Sequence, residues 1–171
     1  ILIEYNCITL FKPNKVDYKI SENKKFGTVV IEPLEKGFGT TLGNALRRVL
    51  LSSLQGTAIT SIKINGVLHE FSTIEGVRED VTDIIMNLKN VTFNSKSNHT
   101  QKLALNVKGP KEVLSSDFDE NPDVEIIDKD TVIMNVDSNR EVNLEIFLDV
   151  NKGYISSEKN KDNENKSVGQ M

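Results

Sequence analysis

The run Gly37-Phe38-Gly39-Thr40-Thr41-Leu42-Gly43-Asn44-Ala45-Leu46-Arg47-Arg48-Val49-Leu50-Leu51-Ser52-Ser53-Leu54 constrains this chain more than any other stretch of it. It follows a strand-like segment, Thr28 to Leu34, and its first glycines make a turn that opens a helix. At about 100° per residue, Leu42, Ala45, Leu46, Val49, Leu50 and Ser53 fall on one arc, the stripe expected to face a core. Leu51 falls on the far side, among Asn44, Arg47 and Arg48. A single exposed Leu is ordinary, but one grouped with two arginines and an asparagine has the make-up of a small interface hot spot. One apolar side of a helix is buried in its own domain; a second asks for a partner. The plainer interpretation is an amphipathic helix with a solvated arginine face. Gly43 costs about 1 kcal/mol in a helix relative to Ala, which is easier to understand if another backbone packs closely there. Phe38 is a further candidate, either across an interface or as a lid on the core.

Strand, glycine turn and helix also suit a dinucleotide-binding turn. The alternative function is therefore a stand-alone nucleotide-binding enzyme using Gly37, Gly39 and Gly43. The spacing argues against it, because three residues rather than two separate Gly39 from Gly43. No Gly-Lys-Ser/Thr follows, and the chain turns into sheet instead of alternating strand and helix. Other chemistry is thin. His69 and His99 are too few for a histidine-rich metal site, and His69-Glu70 lacks the second His of a helical zinc motif. Asp117, Asp119, Glu120, Asp123 and Glu125 suggest a calcium loop, but Pro122 and the missing glycine spoil its register, leaving a solvated acidic loop. No catalytic residue and no metal site are expected.

The net charge of −4 supplies no basic field for capturing nucleic acid. The single Cys7 fits a reducing compartment. No apolar run approaches the roughly 20 residues of a membrane span, and no signal peptide is visible. Residues 1–55 read as a first unit: short strands around Tyr18-Lys19-Ile20 and Thr28 to Leu34, then the helix, closed by Gln55-Gly56. From residue 58 the period becomes two, with Ala58, Thr60, Ile62 and Ile64 alternating, then a tight turn at Asn65-Gly66 and an extended Val67 to Phe71. Asp80 is a helix N-cap ahead of Val81, Ile84, Ile85 and Leu88. Strands are expected at Leu103/Leu105/Val107, at Thr131 to Val136 and at Val142/Leu144/Ile146/Leu148/Val150. Ser156 to Lys166 reads as a polar loop or tail.

Two blocks carry a family resemblance. Leu34 to Ser53, with Leu34-Glu35-Lys36-Gly37-Phe38-Gly39-Thr40-Thr41-Leu42-Gly43-Asn44-Ala45-Leu46-Arg47-Arg48 at its heart, resembles the signature of the bacterial and plastid RNA polymerase alpha subunit. Ile64-Asn65-Gly66-Val67-Leu68-His69-Glu70-Phe71-Ser72-Thr73-Ile74-Glu75-Gly76-Val77-Arg78-Glu79-Asp80-Val81 matches the same family at the same separation. Lys108-Gly109-Pro110 and Asn151-Lys152-Gly153-Tyr154 are weaker echoes.

The resemblance implies an α+β, two-domain alpha N-terminal region: an α/β dimerisation domain with a mainly β insert domain. Residues 1–55 would be the first part of the dimerisation domain, incomplete here, and residues 56–171 the insert, mainly β with one helix and ending in a polar loop. It further implies a homodimer that is the assembly platform for the beta and beta-prime subunits in DNA-directed RNA synthesis. By motif position, Arg48, with Arg47, Asn44 and Leu51, would contact the beta subunit. His69, Glu70, Phe71, Ser72, Thr73, Glu75, Gly76, Asp80 and Lys89 would form a second large-subunit contact. Phe38, Leu42, Leu46, Val49 and Leu50 would serve the dimer interface. This chain would carry no cofactor, since the family's magnesium belongs to beta-prime. It would touch neither DNA nor membrane, and would act in the bacterial cytoplasm or in a plastid. The family continues beyond the equivalent of Gly169-Gln170-Met171, so the chain is expected to be a fragment. Alone, it would be poorly folded in residues 1–55 and would not dimerise normally, an expectation that a sharp monodisperse dimer in sedimentation would sink.

Overall fold

A computed structural model describes residues 12–23, 26–137, 139–156 and 159–160. Cys7, Gly169-Gln170-Met171 and most of the Ser156 to Lys166 stretch lie outside the described residues. The chain divides into two compact units between Ser53 and Leu54.

In the first unit, β1 (Lys15–Ile20) and β2 (Gly27–Glu32) form an antiparallel hairpin with Lys15 opposite Glu32 and Ile20 opposite Gly27. The Lys15 Nζ closes its open end on Glu32 at 2.8 Å. Helix α1 (Phe38–Ser53) follows. Gly37 has φ +90°, a conformation that costs other residues Cβ strain, and so lets the chain reverse before the Phe38 amide donates to the Glu35 carbonyl at 3.0 Å. Gly56 does not end this helix as expected. It stands inside the next strand, β3 (Gln55–Ile64), opposite Asn151, because strand pairing claims its backbone.

The second unit is built on an antiparallel sheet. Its strands are β3 (Gln55–Ile64), β4 (Phe93–Ser95), β5 (Gln101–Lys108), β7 (Val124–Ile126) and β9 (Glu141–Lys152), in the order β5-β9-β3-β4-β7. The expected alternation of β9 holds: Val142, Leu144, Ile146 and Leu148 are all buried. Register turns this alternation into rows. Ile146 lies between Leu103 and Ile62, and Leu144 between Leu105 and Ile64. Each such side chain contributes about 1.5–3 kcal/mol by leaving water, and cross-strand rows of this kind are the unit of sheet stability. The other face is polar, with Lys102 paired to Glu145 at 2.7 Å. In β3 the period breaks at a bulge between Ile59 and Ser61, so Ile59, rather than Ala58, stands opposite Leu148 on the core side.

A second layer covers the apolar face. Strands β6 (Lys111–Leu114) and β8 (Val132–Val136) pair, with Val113, Ile133, Met134 and Val136 buried. Helix α2 (Val81–Leu88) packs against β8, burying Val81, Ile84 and Leu88. Asp80 caps it as expected, accepting the Asp83 amide at 2.7 Å. One expectation fails here and another holds in part. Val67 to Phe71 is not extended strand, since the chain leaves Gly66 (φ +83°) into an irregular loop. The acidic stretch is solvated as expected at Asp119, Glu120, Asp123 and Glu125, but it is not all loop: Phe118 and Val124 are buried, and β7 pairs with β4. Burial would raise the Asp117 carboxyl, but Lys111 and the Leu114 amide hold it below its ordinary value. The short strands β4, β6 and β7 carry too few alternating residues to be seen as periodic.

Candidate functional site

Two groups of side chains invite a functional interpretation, one in each unit. The first is α1. Residues of the stripe and of the arginine face are alike uncovered: Leu46 is 50% exposed, Val49 53%, Leu50 57%, and Leu51, on the opposite side, 63%. Leu42 is half-buried and Phe38 is 41% exposed. No residue of this sixteen-residue helix is buried. The expected core stripe is therefore not buried in a core among the described residues, because the hairpin of its own unit hardly touches it. Gly43 fits the same picture: a Cβ built there meets nothing within 4 Å. Asn44, Arg47 and Arg48 are exposed along the other side, and the Arg48 carbonyl accepts the Ser52 hydroxyl at 2.6 Å. Gly39 and Gly43 lie inside the helix rather than in a turn ahead of it, and among the described residues the strand before them pairs with β1 alone. Neither arrangement makes a phosphate cradle.

The second group is the loop from Gly66 to Asp80. Leu68 and Phe71 are 76% and 82% exposed, and His69 and Glu70 between them in the chain are exposed as well. The His69 Nδ1 and Ser72 Oγ lie 3.1 Å apart across the tip. Backbone ties hold the tip to the start of α2: the Thr82 hydroxyl donates to the Glu70 carbonyl at 3.0 Å, and the Val81 amide to the Ser72 carbonyl at 3.2 Å. Thr73 bridges to Asp80. The returning limb runs along β8. The Asp137 amide donates to the Gly76 carbonyl at 2.9 Å, Val77 bridges to Val136, and the Arg78 amide donates to the Asn135 carbonyl at 3.0 Å. Gly76, at φ +81°, makes the corner. Glu79 is clasped by Asn135, whose backbone amide and side-chain amide donate to its two oxygens at 2.6 and 2.7 Å. Burial pushes the Glu79 carboxyl up, but these two bonds and nearby Arg78 outweigh it and hold the group below its ordinary value. Glu75 pairs with Arg140 at 2.6 Å.

Lys89 does not join this group. It caps the far end of α2, about 12 Å along the axis from Val81 at 1.5 Å per residue, and lines a cavity of about 580 Å³ with Ala58, Asp149 and Tyr154. Among the described residues no three His, Cys, Asp or Glu side chains converge as a metal site would require. No helix of the described residues is long and apolar enough to cross a membrane.

The RNA polymerase Rpb3/RpoA insert domain matches residues 62–171. The chain belongs to that family. It is also 47% identical, over 154 residues, to the DNA-directed RNA polymerase subunit alpha of Alkaliphilus metalliredigens (strain QYMF). That match covers 90% of this chain and 49% of the relative, so the chain spans about half the length of the curated relative it matches. The matched insert domain contains the whole Gly66–Asp80 loop, α2 and most of the sheet. The mixed strand-and-helix fold agrees with the expected α+β class. Sequence reasoning missed Leu68 as a site residue, although it sits inside the quoted motif. It also missed Asn135 and Arg140, whose role depends on pairing across 56 and 65 residues of chain and leaves no local signal.

Proposed function

We propose that the chain serves as an alpha subunit of DNA-directed RNA polymerase, a non-catalytic part that dimerises and holds the beta and beta-prime subunits. The observation that carries this reading is α1: a sixteen-residue helix with apolar residues on two sides and none of them buried. On this reading Phe38, Leu42, Leu46, Val49 and Leu50 meet a second copy. Arg48, with Arg47, Asn44 and Leu51, meets the beta subunit, since a planar guanidinium with five donors suits a buried protein contact. The loop bearing His69, Glu70, Phe71, Ser72, Thr73, Glu75, Gly76 and Asp80 forms the second large-subunit contact, with Lys89 an outlying member. The work of these residues is binding and orientation; the chemistry of RNA synthesis, with its magnesium, is assigned to beta-prime. No DNA contact is assigned to this region, and the setting is the bacterial cytoplasm or a plastid.

The test is co-purification from cells co-expressing the tagged full-length subunit with beta and beta-prime. Arg48→Ala is expected to lose beta while keeping the alpha dimer, since truncating one buried charged contact costs roughly 2–5 kcal/mol. Undiminished beta recovery would remove Arg48 from this role.

A further inference from the structure

We propose that Glu79 is a positioning residue for the Leu68–Phe71 tip, fixing the loop that presents these side chains to a large-subunit partner. The inference rests on reading that loop as a large-subunit contact, and goes beyond it by assigning order to a residue that need not touch the partner. Leu68 and Phe71 are too exposed to be anchored by their own packing. Their placement depends on backbone ties at Glu70 and Ser72, and both ties end on the first turn of α2, at Val81 and Thr82. That turn is entered through Asp80, and the residue before it, Glu79, is half-buried and clasped to β8 by both carboxylate oxygens. The remaining ties of this limb are the backbone contacts at Gly76, Val77 and Arg78, the exposed pair Glu75–Arg140, and the apolar side chains of Ile74, buried in the core, and Val77, packed against it. Glu79 is thus the polar side chain that ties the end of the limb nearest α2 to β8. Helix α2 is held to the same strand independently, with the Asn87 side-chain amide donating to the Ile133 carbonyl at 3.0 Å. Loss of the Glu79 clasp would therefore loosen the end of the limb beside Asp80, with the buried Ile74 and the helix left in place. An apolar tip that must be ordered at the moment of binding binds more weakly than one held ready.

The test uses the full-length subunit co-expressed with both large subunits, with two readouts: recovery of those subunits, and hydrogen exchange at the amides of Arg78, Val81 and Asp137 compared with β5 and β9. Asn135→Asp sets two carboxylates against each other. It is expected to lower recovery about tenfold, the scale of losing a charged hydrogen bond, and to speed exchange at the three loop amides while β5 and β9 stay protected. The double variant Glu79→Gln/Asn135→Asp exchanges amide and carboxylate, restores the donor–acceptor pair, and is expected to restore both readouts. Three results would overturn the proposal: normal recovery with loosened loop amides, a double variant that restores exchange but not recovery, or loss of protection in β5 and β9 together with the loop. A Phe71→Asp control separates the underlying reading. If it leaves recovery unchanged, the loop is not a contact and Glu79 has no partner-facing tip to position.

Discussion

The two units of this chain use the same kind of pattern and reach opposite outcomes. Helix α1 and strand β9 both carry apolar residues at the period of their secondary structure. In β9, Val142, Leu144, Ile146 and Leu148 are buried between β3 and β5, whereas in α1 Leu46, Val49 and Leu50 stay half exposed. The difference lies in what surrounds the pattern. Strand β9 finds both neighbours and a covering layer within its own unit, while among the described residues α1 shares its unit with a two-stranded hairpin exposed along nearly its whole length. Amphipathicity states that a face wants cover, and leaves open whether the same chain supplies it.

This contrast can be broken by mutation, most severely in the sheet. Leu144→Ala removes a fully buried side chain between Leu105 and Ile64 and should cost about 2–5 kcal/mol in urea unfolding of residues 54–171. A loss under about 1 kcal/mol would mean that the rows are loosely packed. Next comes the cap of α2: Asp80→Ala should cost about 1 kcal/mol by the same measurement, and no change would show that the Asp80 bond to the Asp83 amide stabilises nothing. Acid offers a milder probe of the loop. Because the folded Glu79 carboxyl lies below its ordinary value, its contribution is complete at neutral pH. It fades once the pH falls below about 4.3, the unfolded value for glutamate, and is gone after the pH passes the lower folded value. Protection of the Arg78 amide, measured against its intrinsic exchange rate at each pH, should therefore fall on acidification before that of β9, and simultaneous loss would contradict the clasp. Smallest of all, Leu46→Ala should shift the chain's own unfolding by less than about 0.5 kcal/mol, as at other exposed positions. A core-sized loss there would erase the distinction between the units.

The same contrast explains what was legible in the sequence. Long periodic elements declared themselves: α1, α2 with its Asp80 cap, β5, β8 and β9 lie where spacing put them. Elements of three or four residues did not, since β4, β6 and β7 complete at most two alternations. The bulge at Thr60 was invisible because Ala58, Thr60, Ile62 and Ile64 alternate well on paper, and only pairing with β9 reveals the extra residue. For the candidate sites, the motif blocks pointed to α1 and to the Gly66–Asp80 loop. The loop's irregular path and its clasp depend on partners more than fifty residues away. The stripe of α1 lacks cover among the described residues for a reason of principle: helical spacing identifies the apolar side but says nothing about whose atoms cover it.

One pairing in the sheet has a consequence for how such a protein can change over time. Gln55, at the start of β3, stands opposite Lys152, at the end of β9, so the chain enters and leaves the sheet about 5 Å apart, the Cα separation of antiparallel partners. A unit with adjoining doorways behaves like a cartridge. Its loops can lengthen, shorten or be exchanged for those of a relative without pulling apart whatever sequence flanks it, which leaves the Gly66–Asp80 tip free to vary while the frame stays fixed.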